Sequence, residues 1–446
     1  MSTPFTVNVG PACAGVYHVS NIPKETFETG TRLLQANHER HHVFFNDRGF
    51  HNHISHYLLT LVALGATPTQ IQRAYVQEQA LQRPHYPIDE HTVQQMNDEE
   101  FFISCLSQEQ HYHNYLAFFK QQIAEHGVGP VVQEQLFSNK PTAQFLFSRM
   151  FASILHPLIH LGFGIEFDQP AIIAEGLAQA AVHQPEVSHF FNAIEASSNY
   201  VVNQPGRPMI DLIREIANND KIRNAEYWGD GSFIVDELLI KAPKELWDIA
   251  AQWRVSAREL NERTAEMIHV NTYFTAAAQI PHKEHKLDFF LIHNVNCSIF
   301  FSAILQKDWL TIEDKVRLLE WKGRFDIISY AARGSPSLRS EEVMNYSPKK
   351  PTTEWGQLFK RVNAFSDDSH VCKLIRALAN GAQACKPYEG NPRFPMKNDM
   401  FLQAAHIALD STENTQYLTR WVRGAGFKPQ WEKFADRAPK SMALVP

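Results

Sequence analysis

The chain has 446 residues, of which 44% are hydrophobic and 20% are charged, and its formal net charge is -6. This composition is typical of a soluble globular protein and excludes a disordered chain, while the lack of a basic patch argues against nucleic acid as a partner. Residues 1–15 lack the basic start and apolar stretch of a signal peptide, and the five cysteines form no CxxC pair. We therefore expect a cytoplasmic protein without a disulfide framework.

Helical spacing dominates the chain. Two short segments, 5–9 and 15–19, alternate as strands do, whereas apolar residues recur every three or four positions from 54 to 64. A longer apolar face spans 142–161, and Pro157 predicts a kink or a break within it. Further helices are predicted at 171–182, 209–218, 233–239, 244–269, 287–305, 311–331, 354–364, 369–379 and 398–410.

These elements predict a mainly α fold, with a large single helical domain over 1–446 and few short strands. The loop-rich segment 335–353 is the best internal boundary, although histidine-rich segments lie on both sides of it. The most apolar stretch, 289–305, is broken by His293, Asn294, Asn296 and Ser298, which a membrane-spanning helix would expose to lipid. We therefore expect no membrane association.

Histidine is the residue type that sets this composition apart, with 22 copies in clusters. In HNHISH (51–56), His53 and His56 share one helical face; in HPLIH (156–160), His156 and His160 lie one turn apart among apolar residues. A buried imidazole needs a partner, which is either a metal ion or a hydrogen-bonding group in the core. Both readings remain open for each of these rings.

Two further segments carry buried histidines. His293 lies in the apolar run FFLIHN, where a hydrogen bond within the core is the commoner role. In DDSHVCKLIR, the Asp/Ser run indicates a helix N-terminus and Gly381 indicates its end. His370 and Lys373 share a face of this helix beside Leu374. Lys373 either extends to water or is a neutral amine that CO2 can convert to a metal-binding carbamate.

Other histidines carry less weight in the sequence. His38 and His42 lie near charged residues on a polar segment and are expected to be solvated, and His111 and His113 cannot share a helical face. The chain contains no HExxH, GxSxG, P-loop or GxGxxG motif. This argues against zinc peptidases, serine esterases, nucleoside triphosphatases and Rossmann dehydrogenases.

Together, the segments HNHISHYLLTLVALGA (51–66), LHPLIHLGFGIEF (155–167), the His293 helix and DDSHVCKLIRALANG (367–381) resemble the questin oxidase-like family of fungal polyketide-tailoring enzymes. The resemblance implies a mostly helical enzyme that cleaves an anthraquinone ring with O2 by a Baeyer–Villiger-type insertion. It also implies non-haem Fe(II) bound by histidines and a carboxylated lysine. Carried onto this chain, the implied ligands are His56, His160, His293, His370 and Lys373.

Several choices stay open within this resemblance. His53 competes with His56 and His156 with His160, and the histidine left over in each pair is expected to act as an acid–base group or to support a ligand. A conventional triad through His160 and a nearby carboxylate, Glu166 or Asp168, is the alternative set. NADPH is one candidate electron donor. The aromatic residues expected to stack on the substrate are Tyr57, Phe163 and Phe300.

Two other functions remain as alternatives. One is a metal-free, NADPH-dependent Baeyer–Villiger-type oxidase whose histidines act only as bases, and the other is a non-catalytic helical scaffold whose histidines are satisfied core groups. The expected partner is an aromatic polyketide small molecule, converted to a benzophenone or lactone-level product. The sequence leaves open the exact anthraquinone, the electron donor and the oligomeric state.

Overall fold

The structure is a computed structural model that describes residues 1–197, 203–225 and 236–437. Most of this part of the chain is α-helical, and its few extended pairings are isolated bridges that form no sheet. The predicted mainly α fold is therefore confirmed.

The α-helices of the described residues, in chain order, are α1 Lys24–Arg40, α2 Ile54–Ala63, α3 Pro68–Gln79, α4 Glu90–Gln95, α5 Glu99–Ser104, α6 Tyr112–His126, α7 Val128–Val132, α8 Pro141–Arg149, α9 Ala152–Glu166, α10 Pro170–Val182, α11 Ser188–Glu195, α12 Met209–Ala217, α13 Asp220–Arg223, α14 Asp236–Lys241, α15 Pro243–Ala250, α16 Leu260–Ala277, α17 Leu291–Ile304, α18 Ile312–Ala332, α19 Ser340–Met344, α20 Trp355–Ala364, α21 His370–Cys385 and α22 Asp399–Thr412. Short 3₁₀ turns and one π-helical turn lie between them, at Pro11–Cys13, Glu109–His111, Gln133–Phe137, Ala257–Glu259, Lys386–Tyr388, Tyr417–Thr419 and Lys428–Trp431.

The predicted strands at 5–9 and 15–19 are wrong. Backbone N–H groups in these segments donate to side chains instead of to a neighbouring strand: Val7 to Gln35 Oε1 and Val9 to the Thr31 hydroxyl. Val16 donates to a carboxylate oxygen of α9 in the same way. The alternating pattern therefore reflects an extended segment that lies along helices, because side-chain acceptors satisfy its backbone.

Two helix predictions also need correction. The segment 244–269 is two helices, α15 and α16, because the chain between them turns to contact α18. There the Trp253 indole donates to Leu319 O and Val255 N donates to Glu320. Gly381 does not end its helix, since α21 continues to Cys385. Of the prediction at 233–239, residues 233–235 lie outside the described residues.

The predicted break in 142–161 is confirmed, and it lies just before Pro157. Helices α8 and α9 are bent by 101°. Ser153, Ile154 and Leu155 have left-handed φ values of 44°, 58° and 65°. Such values are costly for residues with a Cβ, and most costly for β-branched Ile154. Pro157 follows in the first regular turn, where its missing N–H leaves no bond unmade.

The interior is formed by α2, α9, α10, α17 and α21, which pack against one another in the order α2–α9, α9–α10, α9–α17, α17–α21 and α21–α2. A large hydrophobic core runs from Val7 to Trp421 and includes residues on both sides of 335–353. Among the described residues, no single helix has the length and apolar character needed to cross a membrane; α8 and α9 meet that test only as a bent pair.

Candidate metal centre

Five helices and the loops beside them bring a group of buried imidazoles into contact. We call this group the central cluster; it consists of His51, His53, His56, His156, His160, His183, His293 and His370, with Lys373. All the predicted metal ligands lie in it, and so do both predicted acid–base histidines. His51 and His183 are additional members that the sequence analysis did not select.

The imidazoles of the central cluster meet in pairs through ring nitrogens. The N···N distances are 2.9 Å for His51–His183, 3.1 Å for His53–His156, 3.1 Å for His56–His160 and 3.2 Å for His293–His370. Two nitrogens bound about 2.1 Å from one metal ion at a right angle stand about 3.0 Å apart. Each pair therefore has the spacing of neighbouring ligands, although an N–H···N hydrogen bond has a similar length.

Backbone carbonyls distinguish these two readings for one pair. His293 Nδ1 lies 2.7 Å from Phe289 O, and a carbonyl only accepts, so the ring proton is on Nδ1 and Nε2 carries a lone pair. Asp368 Oδ1 lies 3.0 Å from His370 Nδ1 without hydrogen-bond geometry, and its charge favours a proton on that nitrogen. With the His370 proton on Nδ1, the two Nε2 atoms would meet as facing lone pairs with no proton between them. A cation between them would stabilise that arrangement.

Lys373 lies three residues after His370 on α21. Its side chain is 4% exposed, and Nζ has no hydrogen-bond partner among the described residues. Burial lowers the pKa of Lys373 to about 8. Burial and then the charge of Lys373 lower the pKa of His53, His56 and His156 well below the ordinary value. The lowered pKa makes the neutral amine of Lys373, which carbamate formation needs, more accessible than in an exposed lysine, and the imidazoles it faces are neutral, as metal binding needs.

The ligand shell is incomplete. In the described part of the chain, no three histidine, cysteine, aspartate or glutamate side chains stand around one point as a metal site. The donors nevertheless suit an ion that prefers imidazole nitrogen, because several lone pairs point into the cluster from neighbouring helices. The residues present therefore fit a metal ion in donor type, burial and pairwise spacing.

The two open choices from the sequence involve neighbours in space. His53 and His156 pair with each other, while His56 and His160 form the next pair. The His156 ring lies 5.1 Å from that of His293. All four rings are therefore in the cluster, and the structure does not separate ligand from supporting group within either pair.

The alternative triad with Glu166 or Asp168 is wrong. Glu166 is buried against the Arg376 guanidinium, and Asp168 pairs with Lys307 at the surface. The carboxylate that contacts His160 is instead Glu175 on α10, with Oε2 2.7 Å from Nε2. No sequence motif marked Glu175, since it stands in an otherwise apolar helix fifteen residues from its partner.

All three predicted substrate-stacking residues are buried; Phe163 and Phe300 lie beside the cluster, and Tyr57 follows His56 on α2. The Phe163 ring is stacked on His56 with centroids 5.0 Å apart, and Phe300 meets Phe163 edge-on at 4.8 Å. Gly162 makes room for Phe300, since a Cβ there would lie 2.3 Å from the Phe300 ring. Burial raises the pKa of the Tyr57 hydroxyl. The Phe163–Phe300 pair forms an aromatic wall against His56.

A second group of histidines lies on the far side of Glu175, and we call it the outer cluster: His38, His42, His85 and His113. The prediction that His38 and His42 are solvated is wrong, because both are buried. His113 is buried as well. The Nε2 atoms of all four rings are buried without a partner in the described residues. Leu34, one turn before His38, is the sequence signal that this face of α1 points inward.

Two rings of the outer cluster, His42 and His113, have their ring protons on the opposite nitrogen, whereas His38 Nδ1 faces Glu175 Oε1. Phe44 N donates to His42 Nδ1 at 2.9 Å, and Tyr86 N donates to His113 Nδ1 at 3.0 Å. In a neutral ring the proton is then on Nε2, which points into the cluster as a donor. Burial lowers the pKa of His42 to about 4 and that of His113 to about 2, so both rings are neutral near pH 7. These rings lack the lone pair that a metal ion requires.

A helical domain with a buried, imidazole-lined centre is the class of protein that the fold and site define. The model of the family described as questin oxidase-like matches residues 50–378, a span that contains every member of the central cluster. The chain therefore belongs to the questin oxidase-like family.

Relatives match nearly the whole chain. The Baeyer-Villiger oxidase ptaJ of Pestalotiopsis fici is 38% identical over 97% of this chain and 98% of its own length. The Baeyer-Villiger monooxygenase dmxR6 of Cryptosporiopsis sp. is 39% identical, covering 96% and 98%. A questin oxidase of Aspergillus terreus is 36% identical, covering 97% and 98%.

Proposed function

We propose that this protein is an oxidoreductase that cleaves a ring of an aromatic polyketide, an anthraquinone by class, with O2 in a Baeyer–Villiger-type reaction at non-haem iron. The observation that carries the metal is the 3.2 Å contact between His293 Nε2 and His370 Nε2, which we interpret as the meeting of two lone pairs. The names of the relatives, questin oxidase and Baeyer-Villiger oxidase, support the reaction class and the kind of substrate.

The proposed ligands are His56, His160, His293, His370 and a carboxylated Lys373. Bound iron would activate O2 for reaction with a closed-shell organic molecule. The apolar helices around these residues exclude water from the site. The carbamate forms when the neutral amine of Lys373 adds CO2 and releases a proton, which the lowered pKa of Lys373 favours.

His53 and His156 are the proposed proton-handling pair. His156 Nδ1 donates to Ser153 O, so His156 Nε2 accepts and the proton between the two rings belongs to His53 Nε2. Transfer of one oxygen atom from O2 to the ring leaves the other to be reduced to water, which takes two electrons and two protons. We propose NADPH as the electron source and this pair as the route by which protons reach the substrate.

The aromatic wall beside His56 is the proposed stacking surface for the substrate. An aromatic ring that reaches His56 meets Phe163 and Phe300, and Tyr57 follows His56 on α2. Offset or edge-on contacts with such rings orient a flat polycyclic molecule without requiring charged groups.

Elemental analysis of the purified protein is the first test, and near-stoichiometric iron is the expected result. Lys373→Ala should lose bound iron and turnover together, because it removes the carbamate. Lys373→Glu, which restores a carboxylate on a shorter side chain, should recover part of the iron. Full iron occupancy with normal turnover in Lys373→Ala would overturn the carbamate.

Turnover of an anthraquinone under O2 completes the test. Product that incorporates ¹⁸O from labelled O2 is expected, with no reaction in an anaerobic control. An iron-free preparation that reacts at the full rate with NADPH would overturn the iron site and support a metal-free oxidase instead.

A further inference from the structure

Glu175 on α10 is a buried carboxylate whose two oxygens meet two different imidazoles. Oε2 lies 2.7 Å from His160 Nε2 and Oε1 lies 2.6 Å from His38 Nδ1. The side chain is 5% exposed. Glu175 is therefore a buried acceptor for two ring N–H groups.

This contact gives the His160 ring a protonation pattern opposite to that of His156 and His293. Because His160 Nε2 donates to a carboxylate, the lone pair of a neutral ring is on Nδ1, and Nδ1 lies 3.1 Å from His56 Nε2. His156 and His293 show the opposite arrangement, since their Nδ1–H groups donate to Ser153 O and Phe289 O and their Nε2 atoms face the cluster. His160 alone among these three presents Nδ1.

Close packing of α9 on α10 allows His160 to contact Glu175. A Cβ on Gly176, the residue after Glu175, would lie 2.7 Å from Leu161 N, the residue after His160. A Cβ on Gly164 would lie 2.6 Å from Ile173 N. The two helices therefore approach at a distance that only glycine permits, and this approach brings a short carboxylate side chain against the imidazole.

We propose that Glu175 is a positioning residue that makes His160 bind the metal through Nδ1, whereas the other histidine ligands bind through Nε2. The proposal rests on the metal of the proposed function, and it adds which atom binds and which residue decides it. His38 completes the arrangement, because its N–H satisfies the second carboxylate oxygen.

The test is the position of the ring proton of His160. Full-length protein with ¹⁵N-labelled histidine is freed of metal and studied by two-bond ¹H–¹⁵N correlation, and His160→Asn identifies the His160 signals. The expected tautomer carries the proton on Nε2. On addition of Zn²⁺, which is diamagnetic, the Nδ1 resonance should move while Nε2 keeps its proton.

Variants at position 175 add a second readout. Glu175→Leu removes both acceptors and should weaken Zn²⁺ binding by about 10- to 100-fold, the usual effect of removing a group that orients a ligand. Glu175→Gln retains the shape and one acceptor and should weaken Zn²⁺ binding less. Glu166→Gln is the matched control, since it neutralises a buried glutamate that contacts Arg376 and no histidine, and its Zn²⁺ affinity should equal that of the wild type.

The outcomes separate this inference from the proposed function. A His160 proton on Nδ1, in protein that still binds Zn²⁺, overturns the inference and leaves the metal site standing. Wild-type protein that binds neither Zn²⁺ nor iron overturns the proposed function, and the role of Glu175 with it. If Glu175→Leu does not fold, the wild-type spectrum and Glu175→Gln still decide, and Zn²⁺ affinity equal to wild type in Glu175→Gln with an unchanged His160 tautomer counts against control by Glu175.

Discussion

The central and outer clusters share Glu175, yet His156 and His293 in the central cluster and His42 and His113 in the outer cluster direct Nε2 inward in opposite protonation states. In the central cluster, carbonyl oxygens accept the Nδ1 protons of His156 and His293, so Nε2 lone pairs point inward. In the outer cluster, backbone N–H groups donate to Nδ1 of His42 and His113, so protonated Nε2 atoms point inward. Two groups of the same residue type thus differ in what they can bind.

On the proposed function, the partner of the remote ring nitrogen, and not the number of histidines, decides which group binds a cation. Lone pairs that face each other, as at His293 and His370, are relieved by a positive ion. Inward N–H donors, as at His42 and His113, are satisfied by an acceptor such as a buried water. The comparison makes predictions that apply the same substitution to both clusters.

The largest expected effect is that of His370→Asn. Asparagine keeps a polar group near the position of Nδ1 and deletes Nε2, so the proposed ligand is lost. We expect bound iron and turnover to fall by at least about 100-fold. The matched variant His113→Asn deletes Nε2 in the outer cluster and should retain its iron. Elemental analysis and turnover measure both, and equal iron loss in the two variants would contradict the distinction between the clusters.

A pH-dependent effect on stability is expected for His42→Asn. Burial lowers the pKa of His42 in the folded protein to about 4, from an ordinary value of 6.5. Below pH 6.5, His42 is protonated in the unfolded chain but stays neutral in the folded protein. The wild type therefore loses stability as the pH falls. The loss reaches about 3 kcal/mol near pH 4.

The His42→Asn variant does not titrate at this position, although the asparagine side chain can still accept from Phe44 N. We expect it to be less stable than the wild type at neutral pH, and this deficit should shrink on acidification. Urea unfolding at a series of pH values measures the free energy of unfolding. A deficit that stays constant with pH would show that His42 titrates normally.

The smallest expected effect is that of Phe163→Leu in the aromatic wall. Loss of the stack on His56 should lower the free energy of unfolding by about 1 kcal/mol. We expect KM for the aromatic substrate to rise several-fold while bound iron is retained. Phe147→Leu, at another buried aromatic position, is the control for stability alone. A fall in iron content with unchanged KM would make Phe163 a support for His56 and not a substrate contact.

Much of the fold could be predicted from the sequence, because the local spacing of apolar residues indicates an α-helix. Residues 54–64 and 287–305 contain α2 and α17 within a few residues. The Asp/Ser run before His370 begins α21 as predicted, since Asp367 accepts from Ser369 N and Val371 N. The strands at 5–9 and 15–19 failed because their backbone partners are side chains from distant helices.

Burial of the candidate ligands was also readable in the sequence. His56 precedes an apolar run, His293 lies within one and Lys373 lies beside Leu374, and all three are buried. Burial of the outer cluster was not predicted, because His38 and His42 stand beside charged residues in the sequence. The charged neighbours point elsewhere on the helix, while the chain after α1 turns inward and carries His42 with it.

The sequence by itself therefore determined a helical protein of the questin oxidase-like family with histidines and a lysine on buried helix faces. Only the tertiary structure decided which nitrogen of each ring faces its neighbours. That choice depends on hydrogen bonds to groups elsewhere in the fold, such as Glu175 for His160 and Tyr86 N for His113. The face of a helix on which a side chain lies follows from local spacing. Which nitrogen of a histidine ring carries the proton depends on the acceptor or donor that the packing brings within about 3 Å.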